Sequence, residues 1–378
     1  MVDLWKRFQF YEKLWKKFFH AENHFTKGQV CYQMKKSSVI KMIVAAVAVI
    51  FTMAAVGRFV VTLGGNAAAT ALTGDIVKLR VANNQSDTHP ISLALAKFKE
   101  EVERESGGSI EIEVFNNGVL GSENDTVQQM QAGILAMVRV SASSLENFNN
   151  GFSAFNLPYL FESQEEYYRV MDGETGRWFM EQTRPSGFIG LTWFDGGARS
   201  FYTKNTKINS PDDLKGLKIR VMDSPTAISM MNHLGASATT MSYGEIYTAL
   251  QQGVLDGAEN NITALTLGKH GEVAKVYSFD EHTMPPDFLA ISTKLWDSMT
   301  ENQRGVLKLA GHNATEYHKV IWKEAVLLAK TESESMGVSF VYPAKRPFME
   351  AVAPMYDALQ KSNPVVYEIV ERIRAQSK

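Results

Sequence analysis

Arg220 stands near the end of a strand-like run in LKGLKIRVMDSPTAISMMNHLG, residues 214–235. A guanidinium grips a carboxylate through two parallel N–H bonds, which an ammonium cannot do. Leu217, Ile219 and Val221 alternate with Lys218, Arg220 and Met222, the period of a half-buried strand. Ser224 then reads as an N-cap, Pro225 as the first helical residue and Gly235 as the stop. The arginine is therefore expected at the carboxyl end of a strand, beside the free N–H groups of a new helix. Such a place attracts anions. An arginine on a solvated strand face fits the same residues, so both readings stand.

Other polar residues invite similar chemistry. Arg199, in FDGGARSFYT, follows a strand-like run at 188–194 and two glycines that permit close backbone approach; otherwise it is a plain loop arginine. The segment LDGAENN, residues 255–261, gathers Asp256, Glu259, Asn260 and Asn261. Amides both donate and accept, which suits hydroxyl or carboxylate recognition, although turn chemistry favours the same residues. Asn83 and Asn84 after the first strand, and Glu123 in GVLGSEND, carry the same two readings. The sequence holds no G-x-S-x-G elbow, phosphate-binding lysine loop, dinucleotide glycine fingerprint or H-E-x-x-H motif. His312 and His318 have poor helical spacing for a shared ligand, and neither a metal nor a cofactor is expected.

The elements that must hold these residues alternate between two periods. Residues 77–82 and 110–115 read as strands around a helix whose face is Ile91, Leu95, Phe98 and Val102. A helix near 126–132 and a strand near 137–141 complete a β-α-β-α-β run, which predicts an open, mostly parallel sheet wrapped by helices. A second run follows. It has strands at 217–221 and 237–241, a helix capped by Ser242 and Glu245 and stopped by Gly253, and a return toward a sheet at 254–261. Residues 288–292 look like a buried strand. From Thr300, capped with Gln303, a helical pattern runs without proline to about Met336. Two α/β lobes with no flexible linker imply several chain crossings and a cleft between opposed strand ends. The first lobe is expected at about 76–195 and the second at about 196–290, each with part of the C-terminal region.

The 378 residues contain 39 basic and 41 acidic side chains, so no global charge points to nucleic acid. Cys31 is the single cysteine, which excludes an internal disulfide framework. Residues 34–71 start with Met-Lys-Lys, run apolar from 42 to 56 and end in small residues around Ala67 and Ala69. This is the layout of a secretory signal peptide, with an uncleaved membrane anchor as the alternative. Either way the remainder is exported, to the periplasm. Residues 1–33 are aromatic and basic; they read as an extension from a start codon placed too early, or as an interfacial helix.

The segments NSPDDLKGLKIRVMDSPT, MSYGEIYTALQQGVLDGAENN and FNLPYLFES resemble the solute-binding proteins of tripartite ATP-independent periplasmic (TRAP) transporters. Within these, the resemblance is to the C4-dicarboxylate-binding family, over residues 77–378. It implies a two-lobed α/β fold with crossing strands and a long helix, closing on an acidic ligand. By this resemblance Arg220 pairs with the ligand carboxylate and Arg199 is a second basic residue near it. Asn260 supplies an amide and Tyr243 an aromatic wall. Asn84 and Glu123 face the far end of the ligand, Asp223 accepts from sugar hydroxyls, and His282 belongs to a polar network behind the site. Ser141 stands where sialic-acid binders have glutamate, which argues against that ligand. DGGARSFYT and FDEHTMPPDFLAIS resemble the branch that takes hexuronates such as glucuronate or galacturonate. The implied protein is a monomer that turns nothing over and delivers its ligand to membrane permease subunits. A ligand sensor for a signalling partner, or a sugar-acid enzyme, are the alternatives.

Overall fold

The computed structural model describes residues 76–377. The expectations for residues 1–33 and 34–71, and Cys31, lie outside the described residues.

The strands are β1 (Val77–Ala82), β2 (Ile110–Phe115), β3 (Met137–Ser141), β4 (Phe188–Phe194), β5 (Arg199–Thr203), β6 (Lys218–Val221), β7 (Ser237–Thr240), β8 (Gly257–Asn260), β9 (Val276–Thr283), β10 (Asp287–Ser292) and β11 (Ser339–Val341). They form two sheets, ordered β2-β1-β3-β10-β4 and β11-β9-β5-β8-β6-β7. Each sheet is the centre of one lobe. β1 pairs in parallel with β2 and β3, as the β-α-β pattern predicts. The expectation of mostly parallel sheets fails at the crossings. β10 runs antiparallel to β3 and β4 because the chain re-enters the first sheet from the second, and β5 runs antiparallel to β8 and β9. The chain re-enters the first sheet where β10 begins, at Asp287.

The helices used below are α1 (Pro90–Glu105), α2 (Glu123–Gln131), α3 (Pro225–Leu234), α4 (Ile246–Gln252), α5 (Glu301–Ser335), α6 (Arg346–Ser362) and α7 (Pro364–Ser377). Ile91, Leu95, Phe98 and Val102 of α1 share a core with Leu307, Ala310 and Ala314 of α5 on one face of the first sheet. Each large side chain so buried contributes about 1.5–3 kcal/mol. Thr300 and Gln303 form the capping box that starts α5. At 1.5 Å per residue the helix is about 52 Å long. Its far end reaches the second lobe, where Ala329 packs with Ile246 and Leu250 of α4. Helix α6 also serves both lobes: Phe348 and Val352 pack against α3, while Leu359 joins the first-lobe core.

Two adjacent crossings join the sheets: β4 to β5 through residues 195–198, and β9 to β10 through 284–286. They touch, since a Cβ on Gly196 would lie 2.6 Å from the Pro285 carbonyl oxygen. Gly197, at φ +74°, is pressed against Trp322 of α5 and Asn261. The glycines beside Arg199 do permit close approach, here to the rest of the hinge.

Candidate functional site

A cavity of 490 Å³ lies between the two sheets. Arg220, Arg199, Asn260, Tyr243, Asp223, Asn84 and Glu123 all line it. His282 does not; it stands behind the second-sheet wall.

Arg220 projects from β6, and its side chain is only 3% exposed. Its Nε and one Nη donate to the Met241 carbonyl, at 2.9 and 2.6 Å. Among the described residues no carboxylate forms a salt bridge with it. Burial pushes the guanidinium pKa down, Glu259 pulls it up and Arg199 pushes it down again, with a net lowering. This is an electrostatically incomplete arginine on a cavity wall. The solvated-face reading is therefore wrong. Tyr243 forms the adjoining wall; burial raises its pKa to about 12 against the pull of the arginines, so it remains a neutral phenol.

Arg199 opens strand β5 and is not a loop residue. It is largely neutralised inside the wall. Its Nε donates to Glu259 Oε2 at 2.5 Å, and one Nη donates to Glu259 Oε1 and to the Glu259 carbonyl. The other Nη donates to Asn260 Oδ1 at 2.8 Å. The backbone N–H of Asn261 donates to that same oxygen, which fixes the amide orientation and leaves Asn260 Nδ2 without a partner among the described residues. Glu259 has a second neighbour in His282, whose other ring nitrogen meets Asp280 at 2.7 Å. Burial alone would raise the Glu259 carboxyl, but Arg199 and His282 hold it down at about 2. Burial would lower the His282 imidazole, but Asp280 and Glu259 raise it to about 9. The polar network behind the site is thus Arg199–Glu259–His282–Asp280.

The first-sheet wall is built differently. Glu123 is the first residue of α2, which Ser122 and Asp125 cap. Its carboxylate accepts from Arg139 at 2.8 Å, Asn84 at 3.0 Å, the Ser144 hydroxyl at 2.7 Å and the Ser141 N–H at 3.4 Å. Asn84 also accepts from Arg139. The second Nη of Arg139 pairs with Asp287 at the start of β10. Burial and the nearby Glu123 raise the Asp287 pKa, and Arg139 opposes them without cancelling the rise. Asp223 sits at the rim, where Asn124 donates to its carboxylate and Asn147 to its carbonyl, each at 2.7 Å.

Against this geometry, the model of the bacterial extracellular solute-binding protein family 7 matches residues 81–363. The chain belongs to that family. A protein of Salmonella typhimurium called uncharacterized protein YiiZ is 41% identical, over 79% of this chain and 91% of its own length. A TRAP periplasmic solute-binding protein of Anaerococcus prevotii, solved with bound α/β-D-glucuronate, is 44% identical with a TM-score of 0.78. That match covers 79% of this chain and 98% of the other. A counterpart from Sulfitobacter with bound β-D-galacturonate is 34% identical with a TM-score of 0.77, covering 79% and 99%. The chain is thus a TRAP-type solute-binding protein, from a family of transport proteins and not of enzymes.

Two features of this solute-binding protein escape a reading of the sequence. Arg139 and Asp287, both buried on the cavity wall, are absent from the expected site. The signal for Arg139 was available: an arginine flanked by valines in the strand MVRVS must find counter-charge or a ligand. The helix start at Ser224–Pro225, expected to draw a bound anion, already holds one. Glu146 of the first lobe accepts from the Ser224 hydroxyl at 2.5 Å and from the Thr226 N–H and hydroxyl at 3.1 and 2.7 Å. The protein's own carboxylate occupies the place where that end of α3 would bind a ligand's.

Proposed function

We propose that the protein captures a hexuronate of the glucuronate or galacturonate class and passes it to TRAP permease subunits in the membrane. The observation that carries this is Arg220, a buried guanidinium on the wall of a sugar-sized cavity with no carboxylate in contact among the described residues. A ligand carboxylate supplies the missing charge there. The neutralised Arg199 holds Asn260 with its Nδ2 available to the ligand, and Tyr243 offers an aromatic face and a neutral hydroxyl. Asn84 and Glu123 shape the opposite wall, Asp223 the rim, and His282 keeps Glu259 in place. Homologues solved with D-glucuronate and D-galacturonate support the ligand class. Residues 34–71 fit an export signal or anchor, which supports a periplasmic location, where the protein acts as a monomer.

Calorimetry with D-glucuronate and D-galacturonate tests the reading. Truncating one partner of a buried charge pair costs about 2–5 kcal/mol, so Arg220→Ala should weaken binding about a hundredfold or more. Unchanged affinity would refute the assignment.

A further inference from the structure

The buried groups of the two cavity walls carry opposite charge. Among the buried groups of the second-sheet wall Arg199 cancels Glu259, the His282–Asp280 pair is also balanced, and Arg220 is the positive charge left over, with Asp223 outside them at the exposed rim. On the first-sheet wall one guanidinium, Arg139, serves two buried carboxylates, Glu123 and Asp287. That wall is net negative. Glu123 is further held by Asn84, Ser144 and Ser141, whereas Asp287 has Arg139 as its one ion-pair partner among the described residues. Arg139 itself is 4% exposed and keeps an Nε–H with no hydrogen-bond partner among the described residues, so this wall is not saturated from within.

An ionised carboxylate can only accept hydrogen bonds. Sugar hydroxyls donate and fit such a wall. A second carboxylate on the ligand can only accept, and would meet like charge in a desolvated site. We infer that the Arg139–Asp287 pair is the specificity determinant of the first-sheet wall, reading the hydroxyl-bearing end of a monocarboxylate and rejecting dicarboxylates of the same length. The inference rests on the reading that Arg220 takes the ligand's first carboxylate.

The probes are D-gluconate and D-glucarate, open-chain acids of equal length that differ by one carboxylate, each titrated by calorimetry alongside D-glucuronate. Wild-type protein should prefer gluconate to glucarate by about a hundredfold or more, the scale of a buried like-charge clash. Asp287→Asn leaves Arg139 balanced by Glu123, so it should fold; it should narrow that preference about tenfold or more and weaken glucuronate binding. If neither open-chain acid binds the wild type, a gain of glucarate binding in Asp287→Asn supports the inference and its absence overturns it. Equal binding of both acids by the wild type overturns it whether or not the variant folds. Glucuronate binding that depends on Arg220, with glucarate bound as well as gluconate, removes this inference alone. No glucuronate binding at all removes the ligand reading and this one together.

Discussion

Among the described residues, Arg139 on the first sheet touches two carboxylates and Arg220 on the second touches none. Both are buried at the same cavity, on strands of similar length, yet only the first is electrostatically closed. A buried charge without a partner costs folding energy, and one that is paired costs more when the partner is removed than it gains the protein when present. Arg139 is thus part of what holds the first lobe together. Arg220 is held in readiness, with the Met241 carbonyl fixing its orientation but not its charge. The difference separates a guanidinium whose charge the protein itself balances from one whose charge the ligand completes.

The contrast is tested most strongly by replacing each arginine with methionine. Arg139→Met strands Glu123 and Asp287 in the interior and should lower unfolding free energy by about 3–5 kcal/mol. Arg220→Met strands no charge and removes an unpaired one, so its melting temperature without ligand should be no lower than that of the wild type. With a uronate at a hundred times its Kd, the wild type should gain about 2.7 kcal/mol and Arg220→Met almost nothing. Equal destabilisation by the two substitutions would erase the distinction.

The network behind Arg199 predicts a pH dependence of a definite sign. His282 is held at about 9 when folded, above the ordinary 6.5. Its contribution is therefore fully present below pH 6.5 and is lost as pH rises through 9. Burial holds His270 at about 3, so it acts oppositely and costs stability as pH falls below 6.5. Chemical denaturation between pH 6.5 and 9 should show a decline of roughly 1–3 kcal/mol in the wild type that is flattened in His282→Gln. Parallel curves for the two proteins would mean that His282 does not carry the charge assigned to it.

Much of the second wall was legible because its signals are local. The alternation around Arg220, the Ser242–Glu245 box and the glycine stops all act within a few residues; Gly235 and Gly253 do end their helices at φ +81° and +74°. What was missed depends on partners distant in sequence. Strand β5 looks like a loop because glycines precede it, and β9 hides because Asp280 and His282 sit where a strand would be apolar. Their burial makes sense only once β5, β8 and β9 bring Arg199, Glu259 and His282 together. Arg139 and Asp287 are 148 residues apart in sequence, on paired strands that set Ser141 opposite Asp287 and Arg139 opposite Leu289. No periodicity within either strand announces that pairing.

The hinge joining the walls gives a smaller effect. A Cβ on Gly197 would lie 2.7 Å from Trp322 and 2.8 Å from Asn261, at a φ that L residues avoid. Gly197→Ala should cost about 1–3 kcal/mol by thermal denaturation, through strain at a crossing that both lobes share. Because the change lies outside both charge systems, the pH profile should keep its shape. A variant as stable as the wild type would show that the crossing yields more readily than its contacts indicate.

The smallest effect concerns the contact that spans the walls. Glu146 follows the first-lobe helix Ala142–Leu145, is anchored by Asn156 at 2.9 Å and caps α3 of the second lobe. A carboxylate at a helix N-terminus contributes about 0.3–1 kcal/mol, and up to about 2 kcal/mol when partly buried. Glu146→Gln keeps the shape and one acceptor while removing the charge. If the contact forms only as the lobes close, the loss falls on the closed, ligand-bound state: uronate affinity should drop about fivefold through faster dissociation, with the unliganded melting temperature unchanged. A lower melting temperature with unaltered affinity would instead make Glu146 a permanent tie between the lobes, and closure would then have to pivot around it.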